Sequence, residues 1–223
     1  MPVATINLIS LSSADQLPSL LKQIKSSPGV KPLILSRPVR WIIKPEHIHP
    51  AALLEPRWDL LLIVEESQAS HDLLRSLPDV EAHWSTRTAI PTRLTKNFDK
   101  INTSLLHPDA ASVPALTGSL DSPLLKESSQ DLSLSPELLT WIGTTPVKGA
   151  VSMLNLLSFA PGKKESYMHY GKAFAETIGS KRGGNAKLVG NLIDTKGQEG
   201  EWHEFALAHY PTLEHFGDML ASE

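Results

Sequence analysis

The chain has 223 residues, 41% hydrophobic and 20% charged, with a formal net charge of −3. That composition belongs to a folded globular protein of one large or two small domains, and the slightly acidic balance provides no basic stripe for nucleic acid. Cysteine is absent, which excludes disulfides, thiolate nucleophiles and cysteine metal sites.

The first five residues, Met-Pro-Val-Ala-Thr, put no basic region before an apolar core and do not read as a secretory signal. The longest apolar runs, Leu60 to Val64 and Val151 to Leu157, are far short of a membrane span. The expectation is a cytoplasmic protein with neither membrane nor nucleic acid as partner.

Residues 3–11 are rich in β-formers and predict a strand. Ser13 or Asp15 can cap a helix to about Ser26, with Leu17, Leu20, Leu21 and Ile24 on one stripe. Pro28-Gly29 ends it. Residues 31–43 read as extended, and Pro32 and Pro38 confine them to a sheet edge or a bulge, because proline cannot donate to a ladder. Residues 58–65 predict a buried strand and 69–77 a short helix. From Val80 to Ile90 apolar and small residues alternate with Glu81, His83, Ser85 and Arg87, the mark of a half-exposed strand. The order is β-α-β-β-α-β, the split unit called ferredoxin-like.

Residues 96–146 change character: Pro, Ser, Thr, Asp and Ala dominate without a sustained period, which predicts an irregular linker. Within it Ser135-Pro136 opens a short helix whose Leu and Trp residues need an apolar dock, as a clip or as a lid. A second unit spans 147–223: a strand at 151–159, a helix at 164–178 closed by Gly183-Gly184, strands at 185–194 and 201–210, and a last helix capped by Thr212. Lys181 and Arg182 suit the negative end of the first of those helices. No counterpart of the Val80–Ile90 strand follows.

The two halves share marks. Ile6-Asn7-Leu8-Ile9-Ser10-Leu11 parallels Leu154-Asn155-Leu156-Leu157-Ser158-Phe159, and each Asn precedes a Trp-led strand, by 51 residues to Trp58 and by 47 to Trp202. Self-similarity at matched spacing predicts a tandem repeat. The strand 151–159 with its Asn-Leu-Leu, Tyr167 and Tyr170-Gly171 in the helix, Gly190, and Glu201-Trp202-His203 leading to Tyr210-Pro211 together resemble a family of unknown function in the dimeric α/β-barrel superfamily. The resemblance rests on the second half; the first half joins by pattern and repeat. It implies an α+β fold of tandem ferredoxin-like units, packed sheet to sheet as an intrachain pseudo-dimer. Relatives continue into a fourth strand, so this chain departs from them after its last helix.

Strong chemical signatures are missing: no phosphate loop, no G-x-G-x-x-G and no G-x-S-x-G elbow. His47 and His49 could chelate from one strand face, but an exposed loop before Pro50 is the simpler reading. Asn155 interrupts an apolar strand, so its amide must tie backbone or face a ligand. His203 and His209 share a strand face about 20 Å apart, too far for one metal, though either could serve as a general base. With Tyr170 they form the catalytic candidates. Met153, Asn155, Tyr167, Phe174 and Asn191 are the substrate-binding candidates. No metal and no cofactor is expected. The superfamily resemblance implies cofactor-independent chemistry (cyclase, isomerase, lyase or oxygenase) on a small aromatic or polyketide-like molecule in a pocket between sheet and helices. The alternative is a non-catalytic ligand-binding or stress-related protein. A homodimer is compatible with either.

Overall fold

The computed structural model describes residues 1–45, 51–77, 80–130, 132–174, 181–193 and 202–222, leaving out the side chains of residues 170 and 172–174. The fold is α+β. Its seven strands, numbered in chain order, hydrogen-bond in one sheet in the order β2-β3-β1-β4-β6-β7-β5, not in the two sheets packed face to face that an intrachain pseudo-dimer implies: the strand edges pair with each other through backbone hydrogen bonds. The chain divides into two compact units. The first comprises Met1–Arg40, Pro45–Phe98 and Gly190–Glu204; the second comprises Trp41–Lys44, Asp99–Val189 and Phe205–Glu223. These boundaries cut across the sequential division at 95 and 147.

The first unit runs β1 (Val3–Leu11), α1 (Leu17–Ser26), β2 (Pro32–Ser36), α2 (Ala51–Leu54), β3 (Leu60–Glu65), α3 (Gln68–Arg75), β4 (Val80–Ala89) and α4 (Thr92–Thr95). Every residue of β1 after Val3 is buried, the polar Thr5, Asn7 and Ser10 included, so the strand is covered on both faces. It pairs antiparallel with β3, Asn7 opposite Leu62, and with β4, Asn7 opposite Ser85. Ser13 caps a short 3-10 turn leading into α1, whose Leu20 and Ile24 pack on Ile9, Leu11, Leu60, Leu62 and Val64. α3 opens with a reciprocal cap between Ser67 and Ser70.

One expectation shifts and another holds. The extended stretch 31–43 is a strand only over Pro32–Ser36, with its register broken between Pro32 and Ile34. Pro32 lacks the donor a regular ladder needs, and Pro38 would interrupt it again. In β4, by contrast, the alternation holds: Thr86 and Thr88 are buried, while Glu81, His83, Ser85 and Arg87 are exposed.

The second unit contains most of α5 (Phe98–Leu106), then α6 (Pro136–Thr144), β5 (Val151–Leu157), α7 (Lys164–Phe174), β6 (Asn185–Leu192), β7 (Glu204–Tyr210) and α8 (Leu213–Leu220). β6 is divided, residues 185–189 belonging to this unit and 190–192 to the first. Its core is α8 with α6: Leu213, Phe216, Met219 and Leu220 meet Leu134, Leu138, Ile142 and Tyr210. The Tyr210 and Phe216 rings meet edge to face at 5.3 Å. Ser135 caps α6, and Thr212 caps α8. α6 is therefore a clip, its Leu138 and Ile142 committed to the core.

Residues 96–146 are not the irregular linker the composition predicts. They carry α5 as well as α6, and segment 117–119 is tied to α8. The Asp218 carboxylate accepts from Thr117 N at 3.0 Å, Thr117 Oγ1 at 2.7 Å, Ser119 N at 2.9 Å and Arg182 Nε at 3.1 Å. Arg182 was expected to complement a helix dipole; it is buried against this carboxylate. The next residue, Gly183, has φ +72, and a Cβ there would lie 2.6 Å from Pro211 Cγ, so glycine is required on both counts.

Candidate functional site

The Asn residues that mark the repeat behave alike. Asn7 Nδ2 donates to the Leu62 carbonyl at 3.2 Å, and Asn155 Nδ2 donates to the Ala206 carbonyl at 3.2 Å. Leu62 stands four residues after Trp58, and Ala206 four after Trp202. Each amide thus ties its strand to the equivalent position of the strand beside it. Asn155 also reaches the Met153 carbonyl at 3.3 Å, and Asn7 also bonds Thr5 and His83. The nitrogen of the Asn155 amide is used in structure.

A different group is assembled on β6, β7 and α5. Along β7 the side chains alternate. Ala208 and Tyr210 join the α8 cluster, so His209 projects from the opposite face. There the Leu105 backbone of α5 faces its ring. Lys187, on the neighbouring strand β6, donates from Nζ to Asn102 Oδ1 of α5 at 3.2 Å. His209 is 1% exposed and Lys187 6%. Among the described residues Nδ1 of His209 has no hydrogen-bond partner.

The electrostatics follow from that enclosure. Burial, then the nearby Lys187 charge, pushes the His209 pKa down to about 4, against the opposing pull of the Leu105 bond. Burial pushes the Lys187 pKa down to about 8. At neutral pH His209 is a neutral imidazole. A neutral imidazole keeps one ring nitrogen as an acceptor. Lys187 sits close enough to neutrality for a modest rise in pH to free its amine. The pair offers a proton acceptor beside a tunable amine, faced from α5 by an amide and the Leu105 backbone.

The other sequence candidates lie elsewhere. Met153 packs on the α8 cluster, on the face of β7 away from His209. Tyr167 is half-buried, its ring 5.2 Å from that of Phe159. Tyr170 and Phe174 occupy α7, but their side chains lie outside the described residues. His203 and Asn191 belong to the first unit. The His203 carbonyl accepts from Leu192 N at 2.9 Å, and the exposed Asn191 offers its carbonyl to Thr88 Oγ1 at 3.1 Å. Of the residues singled out from sequence, His209 alone falls in the buried pair. Lys187 and Asn102 were missed. The available signal was faint: a lysine sharing a strand face with Val189, and an Asn in a segment read as linker.

A shallow groove of about 410 Å³ runs along α1 of the first unit, lined by Pro18, Leu21, Lys22, Lys25 and Ser26. Among the described residues no three His, Cys, Asp or Glu side chains are placed to hold a metal; His47 and His49 lie outside them. No helix there is long and apolar enough to cross a membrane. Compared with known proteins, the chain matches no family model, no curated protein and no solved structure.

Proposed function

We propose that the chain is a tandem of two related ferredoxin-like units and works as a cofactor-independent enzyme on a small, carbonyl-bearing molecule, aromatic or polyketide-like. The tandem reading is supported by the equivalent Asn ties and by the order β2-β3-β1-β4 in the first unit, beside β6-β7-β5 in the second. The catalytic reading rests on one observation: a buried, neutral His209 whose Nδ1 lacks a partner, next to a buried Lys187 held by Asn102. Buried polar atoms are almost always satisfied, and a buried imidazole nitrogen without a partner among the described residues, in a site of shifted pKa, is a functional-site candidate. His209 takes a proton from the carbon beside a carbonyl, and the Lys187 ammonium stabilises the enolate oxygen.

The low exposure of both groups favours the other reading, in which this face is a closed scaffold. The test is deuterium exchange at the carbon adjacent to the carbonyl in a panel of small aromatic and polyketide-like ketones, followed by NMR in heavy water. Catalysed exchange that is lost in His209→Asn and kept in His203→Ala supports the enzyme. Exchange no faster than in buffer, or unchanged in His209→Asn, supports the scaffold.

A further inference from the structure

The Lys187 side chain has a property that the proton-transfer role does not require. A buried ammonium ordinarily has a carboxylate partner, because an unpaired charge in a low-dielectric site is costly. The buried Arg182 of the same unit has such a partner in Asp218. Among the described residues Lys187 has the neutral amide of Asn102 instead. An amide oxygen can orient the amine without holding it charged as a carboxylate would. The neighbouring imidazole is neutral, with its free nitrogen unoccupied. This is what a nitrogen nucleophile requires: an amine that deprotonates easily, a fixed direction, and a proton carrier beside it.

The geometry points to Lys187 as an imine-forming nucleophile, with aldehydes and ketones, β-dicarbonyl compounds above all, as the substrates it takes. The inference rests on reading this face as a small-molecule site, and it adds a covalent step. The neutral Lys187 amine adds to the carbonyl carbon, forming the C–N bond as the C=O π pair moves to oxygen. A proton passes from nitrogen to that oxygen by way of the His209 ring, giving the carbinolamine. The second N–H proton then follows to the oxygen, the C–O bond breaks to release water, and the nitrogen lone pair completes the C=N bond. Nothing is oxidised or reduced. With a β-dicarbonyl the imine shifts a proton from the central carbon to the nitrogen and rests as a conjugated enaminone.

The probe is acetylacetone with the full-length protein at mildly alkaline pH. The product is followed by near-ultraviolet absorbance and located by peptide mass mapping. The expected result is one enaminone per chain, on Lys187, formed ahead of any product at the exposed lysines. Lys187→Met should lose it, and His209→Asn should slow it by about a hundredfold, the scale of a lost general acid–base. Mapping on the wild-type protein decides the matter even if a variant fails to fold. Label confined to exposed lysines, or no label on Lys187, overturns the inference. Ketone exchange that depends on His209 without a Lys187 adduct would leave the enzyme reading standing and sink the covalent step. A Lys187 adduct without catalysed exchange would do the reverse.

Discussion

Two buried polar clusters in the second unit handle the same problem in opposite ways. Around Asp218, charge is matched by charge: Arg182 approaches to 3.1 Å, and Thr117 and Ser119 supply three further donors. Burial by itself would raise the Asp218 pKa, but the Thr117 and Ser119 hydrogen bonds and the Arg182 charge outweigh it and hold the carboxyl below its ordinary value. Around His209 and Lys187 the partners are neutral. Among the described residues Nδ1 of the imidazole has no partner, and the ammonium is held by an amide. The first cluster offsets buried charge with charge. The second leaves a buried ammonium without a counter-charge among the described residues, at a desolvation cost.

The comparison breaks most visibly on removal of one member from each cluster. Asp218→Ala leaves Arg182 buried without a counter-charge and should cost about 3–5 kcal/mol in denaturant unfolding. Lys187→Met should act in the opposite direction, raising stability at pH 7 by on the order of 2 kcal/mol, since the buried amine is disfavoured in its charged form. A loss of stability in Lys187→Met would place both clusters in one structural class.

The pH dependence sharpens the contrast. Asp218 titrates lower in the folded chain than in the unfolded one. Its contribution is therefore present above the ordinary carboxylate range and lost as pH falls through the folded pKa; Asp218→Asn should flatten that acid limb. Lys187 moves from 10.5 down to about 8, so the unfolded chain binds more protons across that window, and stability should rise with pH there. The rise should disappear in Lys187→Met. His209 moves from 6.5 down to about 4, so stability should fall as pH drops between those values, and less so in His209→Asn.

The smallest effects belong to the repeat. Asn7→Ala removes an amide with bonds to Thr5, Leu62 and His83 in a fully buried strand, at a cost of about 1–3 kcal/mol. Asn155 makes the same cross-strand tie from a half-buried strand that ends the sheet order. Asn155→Ala should cost about 0.5–1.5 kcal/mol. Equal costs in thermal unfolding would mean that the two ties are equally enclosed.

Much of the fold was legible because strands and caps are local. The β4 alternation and the Ser135 and Thr212 caps depend on neighbours within a few positions and hold in the fold; the paired Asn residues reach across more than 50 positions and were legible through their matched spacing to a Trp-led strand. α5 was not legible: its Asn-Thr-Ser run favours caps and turns over helix interiors, and only Phe98 in it is buried. That miss hid the site, because α5 supplies both Asn102 and the Leu105 backbone. His209 could be picked out as an imidazole between apolar strand residues. Lys187 could not, because a lysine in a strand ordinarily faces water, and its burial depends on a helix some 85 residues away in sequence. Met153 was assigned to the wrong company for a related reason: a strand's two faces are equivalent until the packing elements on each side are known.

The proposed site depends on the ionisation of two side chains, which NMR titration of the intact protein reads directly from the Lys187 side chain and the His209 ring. The predicted result is a Lys187 midpoint near 8 and a His209 ring neutral down to about pH 4. A lysine titrating near 10.5 together with an imidazole titrating near 6.5, their ordinary values, would contradict it.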